Sequence, residues 1–363
     1  MNQFGTHIRI QILGESHGAG LGVTLDGVPA GMPLDEAAIQ AALGRRRPGQ
    51  STLTTQRKES DTISWQTGHF RGHATGAPLH GWIQNEDPRS KDYDALAALP
   101  RPSHADYPNH VSSKGFHDIR GGGHNSGRLT AALVAAGEAM QPILDAFGVQ
   151  AGAYVASIGE VQAPTAATVQ DMAAALTSPV GALGNEKELT AEVEAARTAK
   201  DSIGGTIAFQ LDGLPVGLGD PFFDSLESTA AHLLQSVPAV KGVEFGAGFA
   251  AAAMRGSEHN DPWTVTDGTI TPGSNHAGGA AGGRSTGAPF KGRVAIKPSS
   301  SIFLPQGTVN LETGQPDTLE MKGRHDPCIA IRAVPVVRAC MQILAADWLM
   351  GGVQNGLLEH PWK

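Results

Sequence analysis

Apolar and polar side chains alternate along residues 7–13, with Ile8, Ile10 and Ile12 set against His7, Arg9 and Gln11, the period of a half-buried strand. Residues 21–25 read as a second strand, Gly27-Val28-Pro29 as a turn, and residues 35–43 as a helix opened near Asp35 and stopped by Gly44. Between 44 and 128 the pattern breaks down: convincing helices are few and Gly, Pro, His and Arg are frequent, so this stretch reads as long functional loops with short strands such as 78–83. Residues 126–147 are apolar on most faces, which predicts a buried helix with Pro142 as its kink. Residues 186–200 predict an exposed charged helix, 204–211 and 294–296 strands, and 335–349 a last apolar helix with Pro335 in its first turn.

One echo runs through this pattern. Leu25-Asp26-Gly27-Val28-Pro29-Ala30-Gly31 returns as Leu211-Asp212-Gly213-Leu214-Pro215-Val216-Gly217, each copy following a predicted strand. The repeat points to a duplicated half, although Asp-Gly and Pro favour such turns in unrelated chains. No Pro/Ser linker or composition break divides residues 1–363, so a single domain is expected.

Composition narrows the function. With 27 Lys and Arg against 35 Asp and Glu the chain is acidic, which argues against a general nucleic-acid or membrane-surface role and makes any cluster of positive charge a local feature. Two cysteines, Cys328 and Cys340, are too few for a disulfide framework. The first residues lack a basic and then apolar leader, and no run of about 18 apolar residues is evident; a soluble cytoplasmic protein is expected. The 47 glycines point to loops in which backbone approaches a ligand.

The loops carry the candidate chemistry. Arg45-Arg46-Arg47 calls for anionic partners if it is not simply a solvated basic turn. Arg120-Gly121-Gly122-Gly123-His124-Asn125-Ser126-Gly127-Arg128 precedes a predicted helix, where backbone N–H groups and bracketing arginines favour an anion; there is neither a P-loop nor a well-placed dinucleotide fingerprint. His17, His104 and His325 stand beside Ser or Asp in contexts suited to proton transfer, though a lone histidine of this kind is more often structural. The only histidine pair spaced by four, His69 and His73, sits among glycines where a helix is not expected, so no metal site is assigned. Lys297-Pro298-Ser299-Ser300-Ser301 adds a cation and hydroxyls at a strand end, and Gly323-Arg324-His325-Asp326-Pro327-Cys328 with Arg332 precedes the last helix.

Together these segments, in this order and with Gly14-Glu15-Ser16-His17-Gly18 and Arg101-Pro102-Ser103-His104-Ala105-Asp106, resemble the chorismate synthase family from about residue 7 to residue 349. The resemblance implies an α+β fold with helices layered between two antiparallel sheets and an internal pseudo-duplication, assembled as a homotetramer. It implies a carbon–oxygen lyase of the shikimate pathway: anti-1,4-elimination of phosphate and a ring proton from 5-enolpyruvylshikimate 3-phosphate gives chorismate, with reduced FMN needed but no net redox change and NADPH only an external reductant. By the same resemblance, His17 protonates the departing phosphate, His104 the reduced flavin, and Asp326 helps move the ring proton. Arg46, Arg47, Arg128 and Arg332 would clamp the substrate, and His124, Asn125, Ser126, Ala239, Gly282, Lys297, Pro298, Ser299, Ser300, Ser301 and Arg324 would hold the flavin. Residues alone leave two rivals open, a flavin-dependent reductase for another anion and a non-catalytic phosphate or flavin binder.

The chain departs from the family pattern at named positions. Ser103 stands for a commoner Gly, His124-Asn125-Ser126-Gly127 for Arg-Ser-Ser-Ala, Pro238 for a frequent Asn, Thr52 for Arg, and Arg338 for an acid.

Overall fold

A computed structural model describes residues 2–47, 49, 53, 60–86, 98–266, 268–321 and 325–362. Thr52, Arg57, Lys58 and Arg324 lie outside the described residues.

Two five-stranded antiparallel sheets face each other across a layer of helices. The first runs Gln3–Phe4, Arg9–Gly14, Gly20–Asp26, Leu79–Gln84, Ile63–Thr67; the second runs Val240–Phe245, Phe290–Ile296, Gly205–Asp212, Gln150–Ile158, Val161–Gln162. Each sheet turns its apolar face inward, and one continuous core joins Ile10, Leu21 and Leu25 of the first to Ile207, Phe209 and Phe290 of the second through Leu133, Val337 and Ile343 of the helices. This is the expected α+β arrangement.

The duplication is physical. Strands Gly20–Asp26 and Gly205–Asp212 are each flanked by two long partners in their sheets, and the repeated turns leave them in the same way. Gly27 and Gly213 have φ of 86° and 81°, and a Cβ there would lie 2.1 Å from the His7 carbonyl oxygen and 2.6 Å from that of Gly148. The Gly31 amide then donates to Ala74 O at 2.9 Å, and that of Gly217 to Ser285 O at 2.9 Å. These contacts expose a second echo that periodicity alone passes over: Thr75-Gly76-Ala77-Pro78 repeats as Thr286-Gly287-Ala288-Pro289, with Thr75 N and Thr286 N bonded back to Gly68 O and Gly279 O. Thr-Gly-Ala-Pro ends a short hairpin and aims the next strand into its sheet. Chance turn grammar does not explain two matched sets of long-range bonds.

The helical boundaries differ from the pattern-based ones for local reasons. Asp35 caps the first helix through Ala38 N, but the helix runs Glu36–Arg46, through Gly44, because Ile39, Ala42, Leu43 and Arg46 share its buried side. The predicted 126–147 helix is three pieces: a 3-10 turn Gly127–Leu129, the helix Thr130–Ala139, and Gln141–Ala146 with Pro142 in its first turn, where no intrahelical donor is lost. Every residue of Thr130–Ala139 is buried. Asp106–Ser112 is a short helix inside the stretch read as loops. The last helix begins earlier, at Ala330, so Pro335 lies inside it rather than in its first turn. By length and composition Ala330–Gln354 could cross a membrane, but most of it is buried between the sheets. It crosses Thr130–Ala139 so closely that a Cβ on Gly137 would sit 2.5 Å from Ala339 Cα.

The unusual Arg338 finds its acid on that neighbouring helix. Its guanidinium donates to Glu138 Oε2 at 2.6 Å, and Gln342 Nε2 donates to the same oxygen at 3.2 Å, so the buried carboxylate is shared. Both cysteines are free and buried; burial pushes the Cys340 thiol up to about 12 and that of Cys328 up to about 11, which leaves neither as a nucleophile. Asp347 of the last helix accepts the amides of His7 and Ile8 at 2.6 and 2.7 Å and thereby seats the N-terminal segment, whose Asn2, Gln3 and Phe4 reach the rim of the main cavity.

Candidate active site

That cavity, of about 820 Å³, opens between the halves. The first half supplies Ser16 and His17 from the turn after Arg9–Gly14 and Arg101–Ala105 with Gly121–Leu129 from the long connection before Thr130–Ala139. The second half supplies Val237–Lys241, Lys297–Ser301, His325 and Asp326 from the matching connection before Ala330–Gln354, and Arg332 from the first turn of that helix.

Two imidazoles flank one glycine run. His17 is buried, with Nδ1 hydrogen-bonded to Ser16 Oγ at 2.9 Å. A Cβ on Gly121 would lie 2.4 Å from His17 Cε1, and one on Gly122 would lie 3.1 Å from His104 Cε1. Gly121, Gly122 and Gly123 all have positive φ, at 64°, 104° and 53°. The sequence reading gave these glycines to anion binding through their amides; the structure gives Gly121 and Gly122 the task of letting two histidine rings approach one strand of backbone. Arg120 does not bracket a ligand with Arg128 as expected. It pairs with Asp118 at 2.7 Å and lies outside the cavity lining.

His104 is held from behind. Its Nδ1 donates to Asp106 Oδ1 at 2.6 Å, and Arg101 grips the same carboxylate at 2.7 Å through each of Nε and Nη2. Burial by itself would raise the Asp106 carboxyl, but the hydrogen bonds from Arg101 and His104 and their charges outweigh it and hold the group well below the usual carboxylate range. Ser103 adopts φ of 55°, the left-handed conformation that explains the glycine commoner here, and its carbonyl accepts from Lys297 Nζ at 2.8 Å. Burial and nearby Lys241 lower the Lys297 ammonium.

The arginines divide into two kinds. Arg332 lines the cavity, donates to Asp326 Oδ2 at 2.6 Å and reaches the Arg46 carbonyl at 3.3 Å. Arg46 and Arg128 are buried and share Asp61, Arg46 at 3.0 Å from Oδ2 and Arg128 on Oδ1. Arg46 further donates to Thr130 Oγ1 at 3.1 Å and Gly127 O at 3.0 Å, so it braces the cavity wall that it also lines. Burial, then Arg332, push its guanidinium down to about 9 against the pull of Asp61, which still leaves it charged near neutrality. Burial works to raise the Asp61 carboxyl, but Arg46 and Arg128 outweigh it and hold the group below its ordinary value. Its identity as the shared counter-ion was not legible: a lone Asp in an irregular segment carries no periodic or motif signal.

Two other expectations shift. The structure does not bring Arg47 to the cavity: extending the helix to Arg46 places Arg47 at its C-cap, exposed. Gly282 lies on the turn of the hairpin before Thr286, away from the lining. The His69/His73 pair stands on the two short strands of the first-half hairpin, in keeping with the expectation that no helix forms there. His124, Asn125, Ser126, Ala239, Lys297, Pro298, Ser299, Ser300 and Ser301 do line the cavity, as do His17, His104, Asp326, Arg128 and Arg332. His124 Nδ1 donates to Gly14 O at 2.7 Å, and Ser126 Oγ caps the following turn through Arg128 N at 3.2 Å. Lys297, the serine run and Asn125 form a set of cation, hydroxyl and amide donors suited to a phosphorylated, multiply hydrogen-bonding cofactor such as a flavin mononucleotide, in a cavity at the upper end of the roughly 300–1,000 Å³ usual for ligand sites.

The sequence profile of the chorismate synthase family matches residues 8–350. The chain belongs to the chorismate synthase family. It is 45% identical to a chorismate synthase of Methanocella arvoryzae over 97% of this chain and 95% of the relative, and 44% identical to one of Korarchaeum cryptofilum over 98% and 99%. A crystal structure of a chorismate synthase superposes with a TM-score of 0.76 at 26% identity, covering 96% of this chain and 93% of the other. Family membership accounts for the order of the loop motifs, and the cavity shows what they do together: chorismate synthase segments far apart in sequence close around one space.

Proposed function

We propose that this chain is a lyase that converts 5-enolpyruvylshikimate 3-phosphate to chorismate and phosphate by 1,4-anti elimination, with reduced FMN required and not consumed. The observation that carries the reading is the meeting of His17, His104, Asp326 and Arg332 in one cavity of a chain that belongs to this family. Lys297, Ser299, Ser300, Ser301, Asn125, Ser126 and Ala239, with His124 and Pro298 beside them in the cavity lining, would hold reduced FMN, and Arg324 is assigned to it by family resemblance alone; bound there, the flavin would supply the transient electron density that makes departure of phosphate from an unactivated ring feasible.

The protein's own groups bind and move protons. Arg332, supported by Arg46 and Arg128, gives the cavity the positive charge that a phosphate and two carboxylates need in an otherwise acidic chain. His17, engaged with Ser16 at Nδ1, presents Nε2 as proton donor for the leaving phosphate oxygen. His104 presents its own Nε2 on the flavin side, and Asp326, held by Arg332, guides the ring proton. One continuous core across both sheets supports reading residues 1–363 as a single domain. The exposed Trp263, Val265 and Ile270 on the hairpin Trp263–Pro272 support association with further copies, and the family resemblance supports a homotetramer and a cytoplasmic location.

NADPH enters only as an external reductant. With oxidised FMN and NADPH and no other enzyme, phosphate release should be absent, and supplying reduced FMN should start it. Release accompanied by matching flavin oxidation would instead favour a reductase.

A further inference from the structure

The hydrogen bonds around His104 fix more than its place. Nδ1 lies 2.6 Å from Asp106 Oδ1, and that carboxylate is in turn clamped by Arg101, which donates from Nε and Nη2 at 2.7 Å each and from its backbone amide at 3.0 Å to Oδ2. Arg101 is itself buried, so the pair is shielded from water. A carboxylate held in this way is an acceptor only. The imidazole must then carry a hydrogen on Nδ1 in both its protonation states, and Nε2 becomes the one atom at which a proton leaves or arrives.

We infer that Asp106 is a positioning residue that locks His104 in its Nδ1–H tautomer, and that Arg101 is the clamp that keeps Asp106 in the acceptor role. When His104 gives up a proton, the Nε2–H bond breaks, the ring charge is lost, and the Nδ1–H···Oδ1 bond remains; a proton from water re-forms Nε2–H at the same point. The lowered carboxyl of Asp106 agrees with this, since it stays an anion across the working range. Gly122 passes beside the Cε1 and Nε2 edge of the ring, 3.1 and 3.4 Å from where its Cβ would be, so a side chain at that position would crowd the edge at which the proton is exchanged. Lys297, bonded to the Ser103 carbonyl, and Lys241, His17, Arg46, His124, Arg128, His232, His325, Asp326 and Arg332 are the other charged or titratable groups lining this cavity.

This inference rests on the reading of His104 as a proton donor, and its test separates the two. Nitrogen-15 NMR of histidine-labelled protein, with His104 assigned through H104Q, should show neutral His104 protonated at Nδ1 in the wild type. D106N, whose amide can donate to Nδ1, should move that proton to Nε2 and lower kcat by about 10²- to 10⁴-fold with KM changed by less than about twofold. D106E should recover part of kcat together with the Nδ1–H signature. R101K, which keeps the charge but not the fork, should give a mixture of tautomers and an intermediate kcat. An Nε2–H tautomer in the wild type overturns the inference, and so does a D106N protein with unchanged tautomer and kcat. If H104Q turns over like the wild type while the tautomer results hold, the reading of His104 as donor fails and the lock stands.

Discussion

The two halves of the molecule share a frame and differ in their connections. In each, two strands, a repeated Asp-Gly turn, a helix, a further strand, a hairpin ending in Thr-Gly-Ala-Pro and a last strand follow in the same order, and each half closes with a helix in the central layer. The segments leading into those closing helices have diverged: the first carries Arg101, His104, Asp106 and the Gly121–Gly123 run, the second Lys297, the serines and Asp326, with Arg332 in the first turn of the helix that follows. Matched glycines in the frame allow turns, whereas Gly121 and Gly122 allow histidines to approach. Duplication supplies the scaffold here, and the difference between copies supplies the chemistry.

That comparison can be broken at several points. Removing a proton donor from the diverged part has the largest effect: H17A should lower kcat by about 10²- to 10⁴-fold with the melting temperature nearly unchanged, measured by chorismate formation and thermal unfolding on one preparation. Next is D61N, which leaves Arg46 and Arg128 buried without their shared anion and should cost about 3–5 kcal/mol in denaturant unfolding. Because the folded Asp61 carboxyl lies below its unfolded value, its contribution is complete above about pH 4 and is lost as the pH falls through the lower folded value. D61N should lack it at every pH, so its acid-unfolding limb should be shallower than that of the wild type.

G121A should then lower kcat by about 10²-fold, since the added Cβ must displace the His17 ring or the backbone by about an ångström, with G122A milder because its nearest His104 atom is farther. The smallest effects belong to the frame. G27A and G213A should each lose about 1–3 kcal/mol of stability, by similar amounts because the turns are equivalent, with kcat per folded molecule unchanged. A loss of kcat in G213A matching that in G121A would erase the distinction between frame and site glycines.

The frame was legible from sequence to a large degree. Alternation located the central strands within a residue or two, and the Leu-Asp-Gly echo located the duplication, because turns that need positive φ and a close backbone approach permit few residues. The Thr-Gly-Ala-Pro echo was equally readable once the contacts showed where to align it. The helix ends were less so: Gly44 is a stop signal by propensity, yet burying Arg46 on Asp61 carries the helix past it. Motifs brought His17, His104, Asp326 and Arg332 to the cavity correctly, but could not say that Arg46 braces the wall, that Arg47 faces out, or that Arg120 pairs with Asp118, since each depends on a partner from an irregular segment. The Arg338 departure is compensated by Glu138, two hundred residues earlier, a pairing that only helix packing reveals.

The most direct measurement is an oxygen-free reaction of the purified protein with 5-enolpyruvylshikimate 3-phosphate and chemically reduced FMN, following chorismate, phosphate and flavin absorbance together. Chorismate and phosphate should appear in equal amounts over many turnovers while the flavin ends the reaction reduced. Phosphate release without chorismate, or product formed only in proportion to flavin oxidised, would contradict the account.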